Sequence, residues 1–456
     1  MTKIADYQGS SAVANVKKAL EEAKKNEHYN AILSFCEARA LERAAEIDRS
    51  NVTGRLAGVP FVAKDNFLTY GTKTTAASHI LENFEAPLQA TAIERLEAEG
   101  AICIGKANLD AFAHGGSTEN SAFGPTLNAV DETRVAGGSS GGSAVVTALD
   151  IVPFAIGTDT GGSIRQPASF NGVYGVKPTY GTVSRYGVVA MASSTDTIGC
   201  FTTNAADAEL VMDIMAGRDP HDMTTLPDFF GPEAVKRQQK IGIIREFMTD
   251  DVDGEVKERV SEYVSRMKAA GHNVEEVSLP ILKYALAIYY IVVPAEISSN
   301  LARYDGVRYG RRAQSATLTE LYGKSRSEGF VRENKRRIMI GSYVLSSGYF
   351  DAYYLQAQKA RTLLIQAFNE LFDTYDVLVG PVSPTPAFKL GENSSDPVKM
   401  YLADVMTVPA SLSGMPAISV PAGKTATGLP VGVQLIGQRR SDAALLALAK
   451  DLEADA

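Results

Sequence analysis

The chain of 456 residues contains no tryptophan, five histidines and three cysteines. Cys36, Cys103 and Cys200 are scattered and form no CxxC pair, so the sequence predicts neither a disulfide framework nor a zinc site. We expect the three thiols to be small buried side chains in a reducing compartment. The shortage of histidine also limits the histidine-based catalytic triads that the chain can build.

Positive charge is in deficit as well. The chain has 45 Lys and Arg against 53 Asp and Glu, which gives a net charge of -8. Nucleic acid is held by clustered Lys and Arg, so this balance argues against a chain that binds nucleic acid by itself. Any role on nucleic acid would need a partner subunit.

Long apolar runs are also missing. The N-terminus has no apolar signal region, and the most apolar stretch, "YALAIYYIVVPA" at residues 284–295, is shorter than the ~20 residues of a membrane span and contains Pro294. With 45% hydrophobic and 21% charged residues, the composition is typical of a soluble globular protein. The chain is expected to be cytoplasmic.

Helical and strand patterns alternate along the chain. "TAIERLEAEGA" has helical spacing, ends at Gly100 and is followed by the apolar run "ICIG"; "VKERVSEYVSRMKAAGHNVEEVSL" repeats this order around Gly271. Further strand candidates are "GVPFVA", "VPFAIG", "KIGIIREF", "DVLVG" and "LPVGVQLIG". Short apolar strands between helices predict an α/β fold with a mostly buried sheet.

We expect a single domain over residues 1–456, with an N-terminal helical segment of about residues 1–55 packed on it. The turn-rich stretch 217–233 is a possible loop between two lobes. We favour one compact unit, because the chemistry inferred below draws residues from both sides of this stretch.

Two glycine-serine clusters lie close together, "RVAGGSSGGSA" at residues 134–144 and "GTDTGGSIRQPA" at 157–168. A flexible linker is disfavoured, because apolar, helix-forming sequence follows directly and a linker needs no second cluster. A Walker phosphate loop requires Lys after its last glycine, where this chain has Ser143. Ser140 and Ser143 are interpreted as structural donors of a turn or helix cap.

The first cluster matches the G-x-S-x-G nucleophile elbow, which requires an acidic residue and then a histidine downstream. Only His221 and His272 follow the serines, and both lie in polar, turn-like sequence. A lysine can replace histidine as the base if burial lowers its pKa from ~10.4. Lys64 ends the apolar run "GVPFVAK" and is the candidate, although the residues alone favour an exposed lysine that caps a strand.

The runs "GGSSGGSA", "GTDTGGSIRQPASFNGVYGVKPTYG" and "VAKDN" resemble the amidase signature family. The resemblance implies an α/β fold whose central mixed β-sheet is covered by helices on both faces. "GSTENSAFGPTLN", "PAEISSNLARYDGVRYG" and "KRRIMIGSYVLSSGYFDAYY" are similar, within this family, to the glutaminase subunits of tRNA-dependent amidotransferases. The similarity runs from about Leu56 to near the end of the chain.

Carried onto this sequence, the resemblance implies nine site residues. The catalytic set is a nucleophile, a bridging serine that follows a cis peptide bond, and a base: Ser163, Ser139 and Lys64. The backbone N–H groups expected to hold the oxyanion belong to Thr160, Gly161 and Gly162. The residues expected to bind free glutamine by its charged α-groups are Tyr289, Arg337 and Asp404. Asp159, Arg165 and Gln166 lie nearby without a role that the sequence defines.

The resemblance also implies partners. A larger B subunit would activate Glu-tRNA(Gln) with ATP and magnesium, a small C subunit would complete the heterotrimer, and this chain would hold no cofactor or metal and contact no membrane. Two alternatives stay open at this point. One is a stand-alone amidase for another small amide, which would have no use for the charged pair Arg337 and Asp404. The other is a non-catalytic scaffold, which would not need Lys64, Ser139 and Ser163.

Overall fold

A single mixed sheet organises the computed structural model, which describes residues 2–50, 53–227, 238–393 and 396–454. Its 11 strands lie in the order β1-β3-β2-β4-β6-β5-β10-β11-β9-β7-β8. Strand β2 runs parallel to β3 and β4, β7 runs parallel to β8 and β9, and the other pairs are antiparallel. The strands are β1 (Ile32–Phe35), β2 (Pro60–Lys64), β3 (Ile102–Ala107), β4 (Phe154–Asp159), β5 (Tyr174–Lys177), β6 (Thr197–Thr202), β7 (Lys240–Ile244), β8 (Asn273–Val277), β9 (Val377–Pro381), β10 (Ala417–Lys424) and β11 (Pro430–Gly437).

Fourteen α-helices accompany these strands in the described residues. Several begin at a side chain that accepts a backbone N–H of the first turn, as Asn204, Asp253 and Thr317 do. The helices are α1 (Ala12–Lys25), α2 (Glu37–Ser50), α3 (Thr91–Ala98), α4 (Gly141–Ala148), α5 (Arg165–Asn171), α6 (Ala205–Met215), α7 (Gly254–Ala269), α8 (Ala285–Asn300), α9 (Leu318–Gly329), α10 (Arg332–Val344), α11 (Leu355–Phe372), α12 (Pro397–Leu402), α13 (Val408–Ser413) and α14 (Asp442–Ala454).

Helices cover both faces of the sheet, as the predicted fold class requires. Along β2, Phe61 and Ala63 join a core cluster that includes residues of α3 and α6, whereas Val62 joins a second cluster with α1 and α2. In β3, Cys103 belongs to the first cluster, whereas its neighbours Ile102 and Ile104 belong to the second. Because side chains alternate between the faces of a strand, the two clusters lie on opposite sides of the sheet. The expected α/β architecture is confirmed.

Both predicted units of helix, glycine and strand are present. Helix α3 is followed by Gly100 at φ +89° and then β3, and α7 is followed by Gly271 at φ +91° and then β8. A Cβ at Gly100 would approach Ala57 Cα to 2.7 Å, so both the backbone conformation and the space require glycine there. The other five strand candidates correspond to β2, β4, β7, β9 and β11.

The N-terminal segment does more than pack on the domain. Besides α1 and α2, it supplies β1, which pairs antiparallel with β3 at one edge of the sheet. The turn-rich stretch proposed at 217–233 is irregular over residues 217–227, and its remaining residues lie outside those that the structure describes. The three cysteines are buried and free, as expected.

The apolar run at residues 284–295 belongs to a longer helical stretch than the sequence indicated. Pro280–Arg303 spans 24 residues and meets the length and hydropathy of a membrane span, with half of the tested window buried in the protein. Tyr289, Val292 and Val293 of α8 are buried in the main core cluster, and α8 packs against α10, α11 and α13. This packing accounts for the apolar composition, since a helix buried on several sides needs apolar residues around its circumference.

Candidate active site

Three parallel strands bring the predicted catalytic segments to one edge of the sheet. Lys64 is the last residue of β2, and Asp159 is the last residue of β4, which pairs with β2 in parallel. Strand β3, parallel to β2 on its other side, ends at Ala107 and leads to Asp110. Because parallel strands end at the same edge, Lys64 faces the loop after β4 that carries the second glycine-serine cluster.

Lys64 is fully buried, so the interpretation as an exposed strand cap is wrong. Its Nζ lies 2.9 Å from Ser139 Oγ, 2.8 Å from Ser140 Oγ and 2.9 Å from Thr158 Oγ1. The Ser140 hydroxyl donates to Thr158 O at 3.1 Å, so its oxygen is left to accept an N–H from Lys64. In the neutral amine, this arrangement leaves the nitrogen lone pair available to Ser139.

The surroundings of Lys64 favour the neutral amine. Burial lowers the pKa of Lys64 from 10.5 to about 7, although the negative charges of Asp110, Asp159 and Asp196 oppose this shift. Near neutral pH a substantial fraction of the side chain is therefore unprotonated and able to accept a proton. An exposed lysine with its usual pKa would be almost fully charged there.

The loop after β3 supports the first glycine-serine cluster. The Asp110 carboxylate accepts the backbone N–H groups of Thr118 at 2.9 Å, Asn120 at 3.0 Å and Ser117 at 3.3 Å. A Cβ at Gly138 would overlap the Asp110 carboxylate and the backbone of this loop, so the close approach requires glycine. The peptide bond between Gly138 and Ser139 is cis, as the resemblance implied.

The second cluster is fixed against the first. The backbone N–H of Ser140 donates to Ser163 O at 3.2 Å, and the N–H of Gly138 donates to Gln166 Oε1 at 2.9 Å. Arg165 and Asp159 form a fully buried ion pair at 2.8 Å that closes the loop carrying Ser163. Burial opposes ionisation of Asp159, yet the Arg165 guanidinium holds the pKa of this carboxyl below its usual value. Arg165 and Gln166, which had no role in the sequence, therefore position the loop.

The segment predicted to hold an oxyanion leaves backbone donors free. Among the described residues, none accepts a hydrogen bond from the N–H groups of Gly161, Gly162 or Ser163. The Thr160 side chain points elsewhere, since its hydroxyl donates to Asp196 at 2.8 Å. A Cβ at Gly161 would approach the Tyr289 ring to 2.7 Å, so the ring lies directly over this backbone. Such unpaired N–H groups next to Ser163 can stabilise negative charge on a carbonyl oxygen.

Thr407, which the sequence did not indicate, supports the same segment. Its Oγ1 donates to Gly161 O at 2.6 Å and lies 3.1 Å from Asp404 O, and a Cβ at Gly162 would overlap it. The Thr407 carbonyl in turn accepts Arg165 Nη1 at 2.8 Å. One buried hydroxyl thus connects the oxyanion segment to the loop that carries Asp404.

We expect Thr407→Val to lower kcat for amide hydrolysis by about tenfold or more, because a buried carbonyl left without its donor costs about 1–3 kcal/mol and the oxyanion segment loses its support. Thr407→Ser, which keeps the hydroxyl, should retain most of kcat. Steady-state kinetics of the two purified variants check this. Retained kcat in Thr407→Val together with a loss in Thr407→Ser would show that the methyl group, and not the hydroxyl, is what matters.

Arg337 and Asp404, the predicted binding pair, lie within electrostatic reach of each other and of Tyr289, whose ring covers Gly161 of the oxyanion segment. Arg337 is buried on α10 and its Nε donates to Glu333 at 2.9 Å. Its guanidinium lies beside the stacked rings of Tyr290 and Tyr401, 5.3 and 5.6 Å from the ring centres. Its two Nη atoms and both carboxylate oxygens of Asp404 take no hydrogen bond from or to any described residue. Arg337, paired with Glu333 through Nε, therefore offers two free Nη donors, and Asp404 offers a carboxyl without a partner in the described residues.

The protonation state of Asp404 depends on the charge of the ligand beside it. Burial raises the pKa of Asp404 to about 7, and the charge of Arg337 opposes this rise. Burial also raises the pKa of Tyr289, which stays a neutral phenol beside the pair. A ligand cation next to Asp404 would favour its ionised form. The pocket accordingly fits a small molecule that carries both an anionic and a cationic group.

Several expectations change in the structure. Ser140 is wrong as a cap donor, because its side chain makes no cap hydrogen bond on α4 and contacts Lys64 instead. Ser143 bonds Ile156 O at 3.1 Å and is structural, as interpreted.

His221 pairs with Asp219, His272 accepts the N–H of Gln239, and neither contacts a serine of the clusters among the described residues. The described residues also contain no cluster of three metal-binding side chains.

Comparisons with known proteins agree on one family. A family model described as Amidase matches residues 14–446, a range that includes all nine predicted site residues. The A subunit of glutamyl-tRNA(Gln) amidotransferase from Koribacter versatilis (strain Ellin345) is 51% identical over 435 residues, which cover 93% of this chain and 90% of that protein. The protein of the same name from Thermoanaerobacter pseudethanolicus (strain ATCC 33223 / 39E) is 48% identical over 454 residues, with 97% and 93% covered. The crystal structure of the corresponding glutamyl-tRNA(Gln) amidotransferase chain from Thermotoga maritima superimposes with a TM-score of 0.83 at 40% identity, covering 100% of this chain and 95% of that one.

Proposed function

The chain belongs to the amidase family, and from this membership we propose that it is the glutaminase component of a glutamyl-tRNA(Gln) amidotransferase. Its relatives of that name match almost the full length of the chain at about half identity. In this role the chain hydrolyses glutamine to glutamate and ammonia. The ammonia serves a partner subunit that converts Glu-tRNA(Gln) to Gln-tRNA(Gln).

Proton transfer starts at the buried lysine. Neutral Lys64 accepts the Ser139 hydroxyl proton across 2.9 Å, and Ser139 takes the proton of Ser163 as that oxygen attacks the amide carbon. The developing oxyanion is held by the backbone N–H groups of Thr160, Gly161 and Gly162. The contacts of Lys64, its lowered pKa and the free backbone donors support these roles.

The amide bond then breaks, and the protons return along the same path. Protonated Lys64 gives its proton back through Ser139 to the amide nitrogen, ammonia leaves, and a glutamyl ester remains on Ser163. Water attacks this ester with Lys64 and Ser139 again accepting a proton, which releases glutamate and restores the Ser163 hydroxyl. One glutamine and one water give one glutamate and one ammonia.

The observation that carries glutamine as the substrate is the free Nη donors of Arg337 near the unpartnered carboxyl of Asp404. A guanidinium suits an α-carboxylate, and a carboxylate suits an α-ammonium. Tyr289 closes the pocket over Gly161. A hydrolase of uncharged amides would gain nothing from burying this pair, since the desolvation of two charges is costly unless a ligand satisfies them.

The amidotransferase role requires partners. We assign ATP, magnesium and Glu-tRNA(Gln) to a large B subunit, with a small C subunit completing a cytoplasmic heterotrimer. The net charge of -8 is consistent with a chain that leaves tRNA binding to another subunit. No cofactor is assigned to this chain.

The test is affinity purification of the chain from its native cell, followed by assay of ammonia release from glutamine and from uncharged butanamide. We expect one large and one small subunit in equal amounts with the chain, and a kcat/KM for glutamine at least about 100-fold above that for butanamide. Recovery of the chain alone, with butanamide as good a substrate as glutamine, would favour a stand-alone amidase instead.

A further inference from the structure

His114 is a buried histidine that the proposed mechanism does not use. It lies in the loop between Asp110 and Ser117, and its side chain is fully buried. Its Nε2 has no hydrogen-bond partner within the described part of the chain. Buried polar atoms in folded proteins are nearly always paired, so an unpaired ring nitrogen here calls for a ligand.

The hydrogen bonds of Asn334 define the tautomer of this ring. Asn334 Nδ2 donates to Ala111 O at 2.8 Å and lies 2.8 Å from His114 Nδ1. The Ala111 carbonyl can only accept, which identifies the facing atom of Asn334 as its NH₂ group. His114 Nδ1 is therefore the acceptor, and the ring proton sits on Nε2, which makes Nε2 a donor.

The position of α10 places this donor beside Arg337. Asn334 and Arg337 are three residues apart on α10 and share a buried face, so a ring that bonds Asn334 is a neighbour of the guanidinium. Burial lowers the pKa of His114 well below its usual value, and the charge of Arg337 lowers it further. The ring is neutral at physiological pH and adds no positive charge next to Arg337.

The residues after His114 line the same pocket. Gly115 borders the cavity that Arg337 and Tyr401 also line. A Cβ at Gly116 would come within 3.3 Å of Asp404 Oδ1, so the backbone of this loop lies next to the carboxyl of the proposed binding pair.

We propose that His114 is a further substrate-binding residue, whose Nε2–H donates to the α-carboxylate of the substrate beside Arg337. The inference rests on the proposed function, in that a carboxylate-bearing amide occupies the pocket. A carboxylate has two oxygens, each able to accept more than one hydrogen bond, and can take donors from Arg337 and His114 together. The neutral N–H group favours a carboxylate placed in the direction of its hydrogen bond. Because the ring is uncharged, burying it does not require a second positive charge to be desolvated.

The test compares His114→Asn with His114→Gln in the complete enzyme. Asparagine keeps an amide near the Nδ1 position that Asn334 contacts but has no group at the Nε2 position, whereas glutamine places an NH₂ group there. We expect His114→Asn to raise KM for glutamine about 10- to 100-fold with kcat nearly unchanged, the range for a lost hydrogen bond to a charged group. His114→Gln should stay close to the wild type.

A second substrate distinguishes a loss of carboxylate binding from a general structural defect of the variant. 4-Aminobutanamide is glutamine without the α-carboxylate, so its kcat/KM should be the same in the wild type and in His114→Asn. A similar loss for both substrates, or an unchanged KM for glutamine, overturns the inference and leaves His114 a packing residue. Should His114→Asn not fold, His114→Met, which fills the space without a donor, gives the same comparison. Wild-type enzyme that fails to hydrolyse glutamine overturns the proposed function together with this inference.

Discussion

We expect Ser163→Ala to lower glutamine hydrolysis by about 10⁴-fold or more, because the variant lacks the oxygen that forms the glutamyl ester. The backbone donors and the binding pair would remain, so glutamine should still bind. Ammonia supplied as an ammonium salt bypasses this site. Formation of Gln-tRNA(Gln) by the purified complex from ammonium should therefore stay within about twofold of the wild type, since only the ammonia source has changed.

Ser143→Ala is the matched control for this experiment. Ser143 lies in the other glycine-serine cluster, is also buried, and donates to the Ile156 carbonyl instead of contacting Lys64. It should lose at most a few-fold in glutaminase activity. If Ser163→Ala kept most of its glutaminase activity, another residue would be the nucleophile. If it lost the ammonium-dependent reaction as well, the division of labour between subunits would be wrong.

Local sequence patterns were sufficient to predict much of the fold. Gly100 and Gly271 end helices whose apolar spacing is regular, and the strands that follow are short apolar runs, so both units could be predicted. Strands β1, β5, β6 and β10 were not predicted. Strand β1 carries no alternation of buried and exposed residues, since all four of its residues are partly buried, and its position depends on pairing with β3 some 70 residues away.

The segments of the proposed catalytic set could be named from the family resemblance, whereas the environment that lowers the pKa of Lys64 could not be predicted. Ser140 and Thr158, which contact Nζ, are 76 and 94 residues from Lys64 along the chain. Thr407 is 246 residues from the Gly161 carbonyl that it supports. Hydroxyl residues are common and carry no periodic pattern, so only the folded chain identifies those that meet. The same holds for His114, whose role depends on Asn334 in a distant helix.

A pH profile of kcat gives the most direct evidence on the base. With a Lys64 pKa of about 7, the neutral fraction falls about tenfold per pH unit below that value, and kcat should fall with it, then level off above about pH 8. We expect kcat to rise with pH because the reaction requires the unprotonated amine of Lys64. Asp404 also titrates near pH 7 but acts on binding, so the measurement needs saturating glutamine, where kcat no longer depends on affinity.

Lys64→Arg is the variant that best distinguishes a catalytic base from a structural cation. Arginine retains the positive charge and the hydrogen-bond donors but cannot deprotonate at any pH the protein tolerates. If Lys64 acted only as a structural cation toward Ser139 and Ser140, arginine would preserve part of the activity; if it is the base, glutaminase activity should fall about 10³-fold or more at every pH. Lys64→Met, which removes both the charge and the base, should be equally inactive, and both variants should keep ammonium-dependent transfer in the complex. A wild-type kcat that stayed flat from pH 5 to pH 9 would contradict the assignment, because no proton would then leave Lys64 in the range where its burial places the titration.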